Sequence, residues 1–241
     1  MSRQTRPPSV RRRRSGDLHH RAQGQTSSVS RGVCIEAAGA RLAGELRLPR
    51  SARGLALFAS SRDLGRLDRR QVDLAKRLNA RGIGTLLFDL VETTDSTEDE
   101  RDVGLLSHRL LGATDWSARQ WGVGGLPVSY VATGLGSAAA LSAAAIRSGR
   151  ICAIASYSGR PDLATEDLSR VTAPTLLVDE GGDSLLAQAS ERAAAQLCCS
   201  HRLATVKPTS APLGAWTASP AICHWVEWHL GDTRPTYLRA S

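Results

Sequence analysis

Aromatic residues and lysine are scarce in this sequence. Phe, Trp and Tyr make up 4% of the 241 residues, and Lys76 and Lys207 are the only lysines. With so few aromatic side chains, Ala, Gly, Val and Leu must fill most of the protein interior. No run of apolar residues is long enough to cross a membrane, and no segment recurs at a fixed spacing. We therefore expect neither a membrane-spanning protein nor a repeat protein.

Cysteine is also infrequent, and its positions follow no pattern that binds metal. The five cysteines, at positions 34, 152, 198, 199 and 223, are an odd number, and the adjacent pair lacks a second pair to complete a zinc site. Most have apolar neighbours, where an unpaired cysteine behaves as a small buried hydrophobic residue. We predict no metal, no cofactor, unpaired thiols and a cytoplasmic location.

The positive charge is concentrated at the start of the chain. Of the net charge of +8, residues 1–31 carry +7, so the remaining 210 residues are nearly neutral. We predict a disordered Arg-rich tail over 1–31, one domain over 32–232 and a short C-terminal tail over 233–241. A near-neutral domain offers no basic surface, so we expect no specific nucleic-acid binding from it.

Two further roles of the tail are an export signal and an electrostatic anchor. An export signal would need an apolar run after the four arginines at 11–14, and the residues that follow are polar. A weak electrostatic anchor to nucleic acid or anionic lipid stays open, since each cation near a membrane surface contributes about 1 kcal/mol. A solvated extension without a binding role is the simpler interpretation.

Buried strands and amphipathic helices alternate from residue 55 onward. This alternation predicts an α/β fold with a mainly parallel sheet and helices on both faces. An antiparallel hairpin over 33–48 precedes it. The predicted strands span 55–59, 83–90, 128–132, 151–157, 174–179 and 203–206, and the predicted helices span 69–80, 103–116, 137–148, 184–197 and 222–230.

The stretch 127–148 carries the most specific pattern in the sequence. A buried strand runs into Ala132-Thr133-Gly134-Leu135-Gly136, which has small residues at its first and last positions, and a helix of small residues follows. This is the pattern of a nucleophile elbow, in which the strand turns tightly into a helix and the middle residue is the nucleophile. Gly134 holds the middle position. We predict that Gly134 has a positive φ, which glycine adopts at little steric cost.

Several stretches together resemble one family. They are GIGTLLFDL (82–90), LLSHRLLGATDW (105–116), GLPVSYVATGLGSAAAL (125–141), SGRPDLA (158–164) and VTAPTLLVDEGGD (171–183). In order and spacing they are similar to the dienelactone-hydrolase-like α/β-hydrolases, in particular the branch also found fused behind phosphoribosyltransferase domains. The resemblance covers roughly residues 33–230 and implies the α/β-hydrolase fold.

The resemblance also implies a Ser–Asp–His triad, and this chain departs from it. The nucleophile position corresponds to Gly134, and the histidine position corresponds to Ala211 or a near neighbour. The acid position corresponds to Asp183, which is retained. The loop after the first buried strand usually begins His-Gly in such families, whereas here Phe58 is followed by Ala-Ser-Ser-Arg. The site is thus predicted to be degenerate, with Asp183 a remnant acid or a cap of the next helix.

Three functional hypotheses follow. In the first, the chain is a pseudoenzyme that binds an unidentified small molecule or protein partner. In the second, it is an active ester or lactone hydrolase whose nucleophile is displaced to Ser137, although Ser137 is more simply a helix N-cap. His201, His224 and His229 are the downstream candidates for its base.

The third hypothesis is nucleotide or anion binding at the Gly134–Gly136 turn. The residues Gly134 to Ala139 match G-x-G-x-x-A, a pattern that lets backbone N–H groups approach a phosphate. The acidic residue that should bind a ribose about twenty positions later is absent. Nothing in the sequence indicates the ligand or the oligomeric state.

Overall fold

The computed structural model describes residues 28–60, 66–181, 184–207 and 217–231. The strands are β1 Ser28–Ala37, β2 Ala40–Pro49, β3 Leu55–Ser60, β4 Gly84–Asp89, β5 Val128–Gly134, β6 Ile151–Gly159, β7 Thr175–Glu180 and β8 His201–Val206. The α-helices are α1 Arg69–Asn79, α2 Val103–Ala118, α3 Gly136–Ile146, α4 Ser184–Ala194 and α5 Ser219–Gly231. None of the helices in these ranges is both long and apolar enough to span a membrane.

All of these strands belong to one sheet in the order β1-β2-β4-β3-β5-β6-β7-β8. The pairs β1–β2 and β2–β4 are antiparallel, and the pairs from β4 through β3 to β8 are parallel. The predicted fold class is therefore confirmed. We call the edge where the parallel strands end the carboxyl edge, and the edge where they begin the amino edge. In such sheets ligands bind outside the carboxyl ends of the strands.

Helices cover both faces of the sheet because its central strands are apolar on both faces. All six residues of β3 are buried, as are the first five of β4. On one face they pack with Leu and Ala side chains of α2, α3 and the end of α4. On the other face they pack with the apolar residues of α1 and α5. Alternate residues along each strand therefore enter different cores.

The first strand begins earlier than the charge pattern predicts. Residues 28–31 were expected in the disordered tail, yet Ser28 to Arg31 pair with β2, Ser28 opposite Pro49 and Arg31 opposite Leu46. Pairing with β2 gives the backbone N–H and C=O groups of this segment hydrogen-bond partners, although its side chains are exposed. The rest of the predicted tail, residues 1–27, and the predicted C-terminal tail lie outside the described residues.

The acidic stretch 93–101, which follows β4, is held against α2. A short 3₁₀ turn, Asp99–Arg101, closes it, and Asp95 turns inward to a buried ion pair with Arg109 of α2. Arg109 also donates to the carbonyl of Leu90, at 2.9 Å. Burying a guanidinium is tolerated here because a carboxylate and a carbonyl compensate the lost hydration. The pair holds the loop after β4 against α2.

Helix α3 approaches β3 so closely that only glycine fits at its start. A Cβ added to Gly136 would lie 2.1 Å from the carbonyl oxygen of Ala59 and 2.7 Å from its carbon. Both are backbone atoms of a central strand and cannot move aside without disturbing the sheet. This contact sets the distance between the elbow and the neighbouring strand.

Replacing Gly136→Ala should lower the free energy of unfolding by about 2–3 kcal/mol, because the clash outweighs the better helix propensity of alanine. Chemical denaturation measures the change. Gly32→Ala is the matched control, since a Cβ at Gly32 would meet nothing within 4 Å. Equal stability of the two variants would contradict the close approach of α3 to β3.

Candidate functional site at the carboxyl edge

The elbow lies where β5 ends and α3 begins. Gly134, the last residue of β5, has φ +54°, and Leu135 already has helical dihedrals, with φ −68°. The predicted positive φ of Gly134 is confirmed. Residues with a Cβ adopt this region rarely, so glycine relieves the strain that a nucleophile would carry here. Gly134 has no side chain with which to attack a substrate.

A bulge in β6 fixes the elbow from the other side. Thr133 pairs with Tyr157 but Gly134 pairs with Gly159, so Ser158 is an extra residue, and its φ is +43°. The backbone N–H of Arg160 donates to the carbonyl oxygen of Gly134, at 3.0 Å. Bulges of this kind redirect the chain at the ends of strands and are frequent next to active sites.

A buried carboxylate holds the segment after β6. Asp162 accepts hydrogen bonds from Arg160 Nε at 2.9 Å and from Arg192 Nη2 of α4 at 2.8 Å. Burial alone would raise the pKa of Asp162, but the hydrogen bonds and charges of Arg160 and Arg192 outweigh it, so this pKa lies below its usual range. Because the backbone N–H of Arg160 also donates to the carbonyl of Gly134, the ion pairs of Asp162 connect α4 to the elbow.

Ser137 is a core residue in this structure. Its side chain is fully buried, and its Oγ accepts a hydrogen bond from Ser156 Oγ at 2.8 Å. A Cβ added to Gly159 would lie 1.9 Å from Ser137 Oγ. The predicted N-cap role of Ser137 is wrong, because Leu135 holds the N-cap position and Ser137 lies inside the helix.

The three histidines considered as bases for Ser137 lie away from the elbow. His201 starts β8 at the amino edge, where its Nδ1 contacts the carbonyl of Cys199. His224 and His229 belong to α5 and contact the rings of Trp228 and Trp225. Trp225 Nε1 donates to the carbonyl of Pro174, the residue before β7, at 3.4 Å, so this helix runs toward the amino edge.

The other two predicted triad positions lie outside the described residues. Asp183 falls between the end of β7 and the start of α4, and Ala211 falls between β8 and α5. Of the loop expected directly after Phe58, Ala59 and Ser60 belong to β3, and the residues at 61 and 62 are outside the described ranges as well. Their proposed roles therefore stay predictions. The same holds for anion binding at the Gly134–Gly136 turn, where α3 begins without a hydrogen bond from a side chain at its N-cap.

A polar cluster that no sequence motif indicates lies beside the elbow. Ser60, Thr133 and Tyr157 are neighbours across β3, β5 and β6, on the face covered by α1 and α5. Ser60 Oγ donates to Gln71 Oε1 of α1 at 2.7 Å. Thr133 Oγ1 is buried and has no hydrogen-bond partner among the described residues. Aligning the strand ends and their period of two would have placed these residues together.

The cluster continues toward β7. The Tyr157 hydroxyl donates to Glu180 Oε1, and Arg70 of α1 approaches both groups. Its Nη1 lies 3.5 Å from the Tyr157 hydroxyl and 3.6 Å from Glu180 Oε1. The guanidinium is half exposed, whereas Tyr157 is 2% exposed. We call Ser60, Gln71, Thr133, Tyr157, Glu180 and Arg70 the edge cluster.

No family model matches the chain, but solved structures are similar to it. The dienelactone hydrolase from Anabaena variabilis ATCC 29413 is 33% identical in sequence, with a TM-score of 0.76 over 85% of this chain and 98% of that chain. The chain belongs to the dienelactone hydrolase family. Est1E from Butyrivibrio proteoclasticus, at 14% identity and a TM-score of 0.69, shares the fold over 83% of this chain and 99% of its own.

Two curated relatives support the predicted branch of the dienelactone hydrolase family. They are Mycobacterium tuberculosis proteins, from the strains CDC 1551 and H37Rv, provisionally named phosphoribosyl transferases. Each is 39% identical over 160 residues, which are 64% of this chain and 35% of the relative. The matched part thus spans about a third of their length. This agrees with the branch in which a domain of this kind is joined to a phosphoribosyltransferase.

Asp162→Asn should lower the free energy of unfolding at neutral pH by about 1–2 kcal/mol, since two charge-assisted hydrogen bonds are weakened and both arginines are partly exposed. The pKa of Asp162 is lower in the folded state, so its contribution is present above the unfolded value of about 3.9 and is lost as pH falls through the folded value.

Chemical denaturation of the wild type and of Asp162→Asn between neutral pH and pH ~3 tests this dependence. The difference between their free energies of unfolding should become smaller on acidification. Asp73→Asn is the control, because Asp73 and Lys76 form an exposed pair at 3.5 Å that contributes about 0.3–0.5 kcal/mol. A difference for Asp162→Asn that grows toward low pH would contradict the lowered pKa.

Proposed function

We propose that this chain is a pseudoenzyme of the dienelactone hydrolase family that binds, but does not cleave, a small ester- or lactone-like molecule at the carboxyl edge. The observation that carries the proposal is Gly134 at the nucleophile position. Nucleophilic catalysis needs a hydroxyl or thiol at this place and a base within hydrogen-bond reach. The elbow keeps its backbone geometry and lacks the reactive group.

The described surroundings of Ser137 favour this proposal over a displaced nucleophile. Its hydroxyl is fully buried and bonded to Ser156, so a substrate could reach it only if α3 separated from β6. The three histidines considered as its base are on α5 or at the amino edge. A serine without an imidazole keeps its proton and is a poor nucleophile.

The edge cluster favours retained binding. A polar group removed from water without a partner is unfavourable, and the buried hydroxyl of Thr133 is such a group among the described residues. The half-exposed guanidinium of Arg70 lies on the same face and can donate to a carbonyl oxygen. Dienelactone hydrolase is named for a lactone, and an ester or lactone offers such an oxygen.

The purified chain should not hydrolyse p-nitrophenyl acetate or γ-butyrolactone above the rate in buffer, and a fluorophosphonate probe should leave it unlabelled. Gly134→Ser should not restore turnover, because the new hydroxyl still lacks a base. The additional change Ala211→His tests whether Asp183 can support a rebuilt triad.

Gly39→Ser controls for a side chain placed at positive φ, since Gly39 has φ +78° in the β1–β2 turn. Labelling of the wild type that disappears in Ser137→Ala would replace the pseudoenzyme proposal with the displaced-nucleophile hypothesis. Labelling that persists in that variant would identify another nucleophile and would equally contradict the proposal.

Binding is tested with γ-butyrolactone by ligand-observed NMR, with the integrity of the lactone checked after incubation. Arg70→Gln should weaken binding about three- to tenfold through the loss of a charge-assisted hydrogen bond. Arg69→Gln is the matched control, because Arg69 is the exposed neighbour on α1. Equal affinities of the two variants would exclude the edge cluster as the binding site.

A further inference from the structure

A cavity lies at the amino edge, away from the elbow. It has a volume of about 210 Å³ and is bounded by the last turn of α2, the loop 119–127, the first residue of β5 and Arg150. We call it the amino-edge pocket. Val128 and Gly134 are the two ends of β5, and six residues of a strand span about 20 Å. The pocket is therefore separate from the candidate site described above.

The amino-edge pocket has both apolar and polar residues in its lining. Val123, Leu126 and Val128 line it, and Val123 is 2% exposed. Two hydroxyls also line it, but their hydrogens are engaged inside α2. Thr114 Oγ1 donates to the carbonyl of Leu110 at 2.8 Å, and Ser117 Oγ donates to the carbonyl of Thr114 at 2.7 Å.

Arg150 supplies the charge at the rim of this pocket. Nearby, Arg147 is neutralised by Asp115 of α2, at 2.7 Å. Arg150 has no carboxylate within ion-pair distance among the described residues, and it stands directly before β6. A guanidinium that meets no carboxylate in the described part of the chain, beside apolar side chains, matches a molecule with one carboxylate and an apolar body.

We propose that the amino-edge pocket binds a small monocarboxylate, with its carboxylate on Arg150 and its apolar part against Val123, Leu126 and Val128. The volume of the pocket limits the size of the ligand. At about 210 Å³ it is somewhat larger than an apolar cavity of about 150 Å³ that binds benzene. An aryl or short alkyl carboxylate therefore fits, whereas a long acyl chain does not. This site does not depend on the chemistry at Gly134.

Benzoate is the probe, and benzamide is its neutral counterpart of the same shape. In NMR titrations of the full chain, benzoate should bind with a dissociation constant of about 1 mM or below, as expected for so few atoms. Benzamide should bind at least about tenfold more weakly, and added salt should weaken benzoate because the ion pair is partly exposed.

Arg150→Gln should weaken benzoate binding about tenfold. Arg202→Gln, at an exposed arginine of β8 on the far side of the sheet, is the matched control and should bind as the wild type does. Ala118→Leu fills the pocket from an exposed position at the end of α2 and should also abolish binding. Thermal unfolding confirms that each variant is folded.

Three results would overturn the proposal. They are the absence of saturable benzoate binding up to about 10 mM, equal affinity for benzamide, and equal affinity of the Arg150→Gln and Arg202→Gln variants. Binding that survives Ala118→Leu but is lost in Gly134→Ser would place the carboxylate at the carboxyl edge instead.

Discussion

The close contact between α3 and β3 is the constraint on which the candidate site depends. Gly136 is required for space, because a Cβ would overlap the carbonyl of Ala59 at 2.1 Å. Gly134 differs in kind, because it has a positive φ, the conformation that the elbow of a hydrolase of this fold imposes on its nucleophile. The first glycine maintains the architecture, and the second leaves the turn without a side chain while relieving backbone strain. Within three residues, one glycine thus serves packing and the other determines what the elbow presents to a ligand.

The fold was predictable from the sequence because its determinants are local. Buried strands followed by amphipathic helices require a covered parallel sheet, and the tight run of small residues requires a turn such as that at Gly134. The start of β1 was not predictable, since residues 28–31 are polar and exposed, and only pairing with β2 orders them. Polarity alone therefore places this boundary four residues too late.

The candidate site was predictable only in part, because its side-chain partners are distant in sequence. Ser137 was interpreted as a cap from its position near the helix start, but its partner is Ser156, nineteen residues away. The edge cluster combines residues of four strands and one helix that no motif connects. Glycine at the nucleophile position could be recognised directly, because the elbow is a contiguous pattern. A missing group in a motif is easier to see than a new group assembled by tertiary packing.

The carboxyl edge and the amino edge of the sheet differ in the partners of their charged groups. At the carboxyl edge, Asp162 binds two arginines and Glu180 accepts from Tyr157 and faces Arg70, so charges of both signs are present together. Such an edge suits a neutral polar molecule, which can both donate and accept hydrogen bonds. At the amino edge, Arg150 stands above apolar residues without a carboxylate partner among the described residues, which suits an anion. If the elbow no longer cleaves esters, selection on the carboxyl edge acts on binding alone, and the two edges can recognise ligands of different charge on one scaffold.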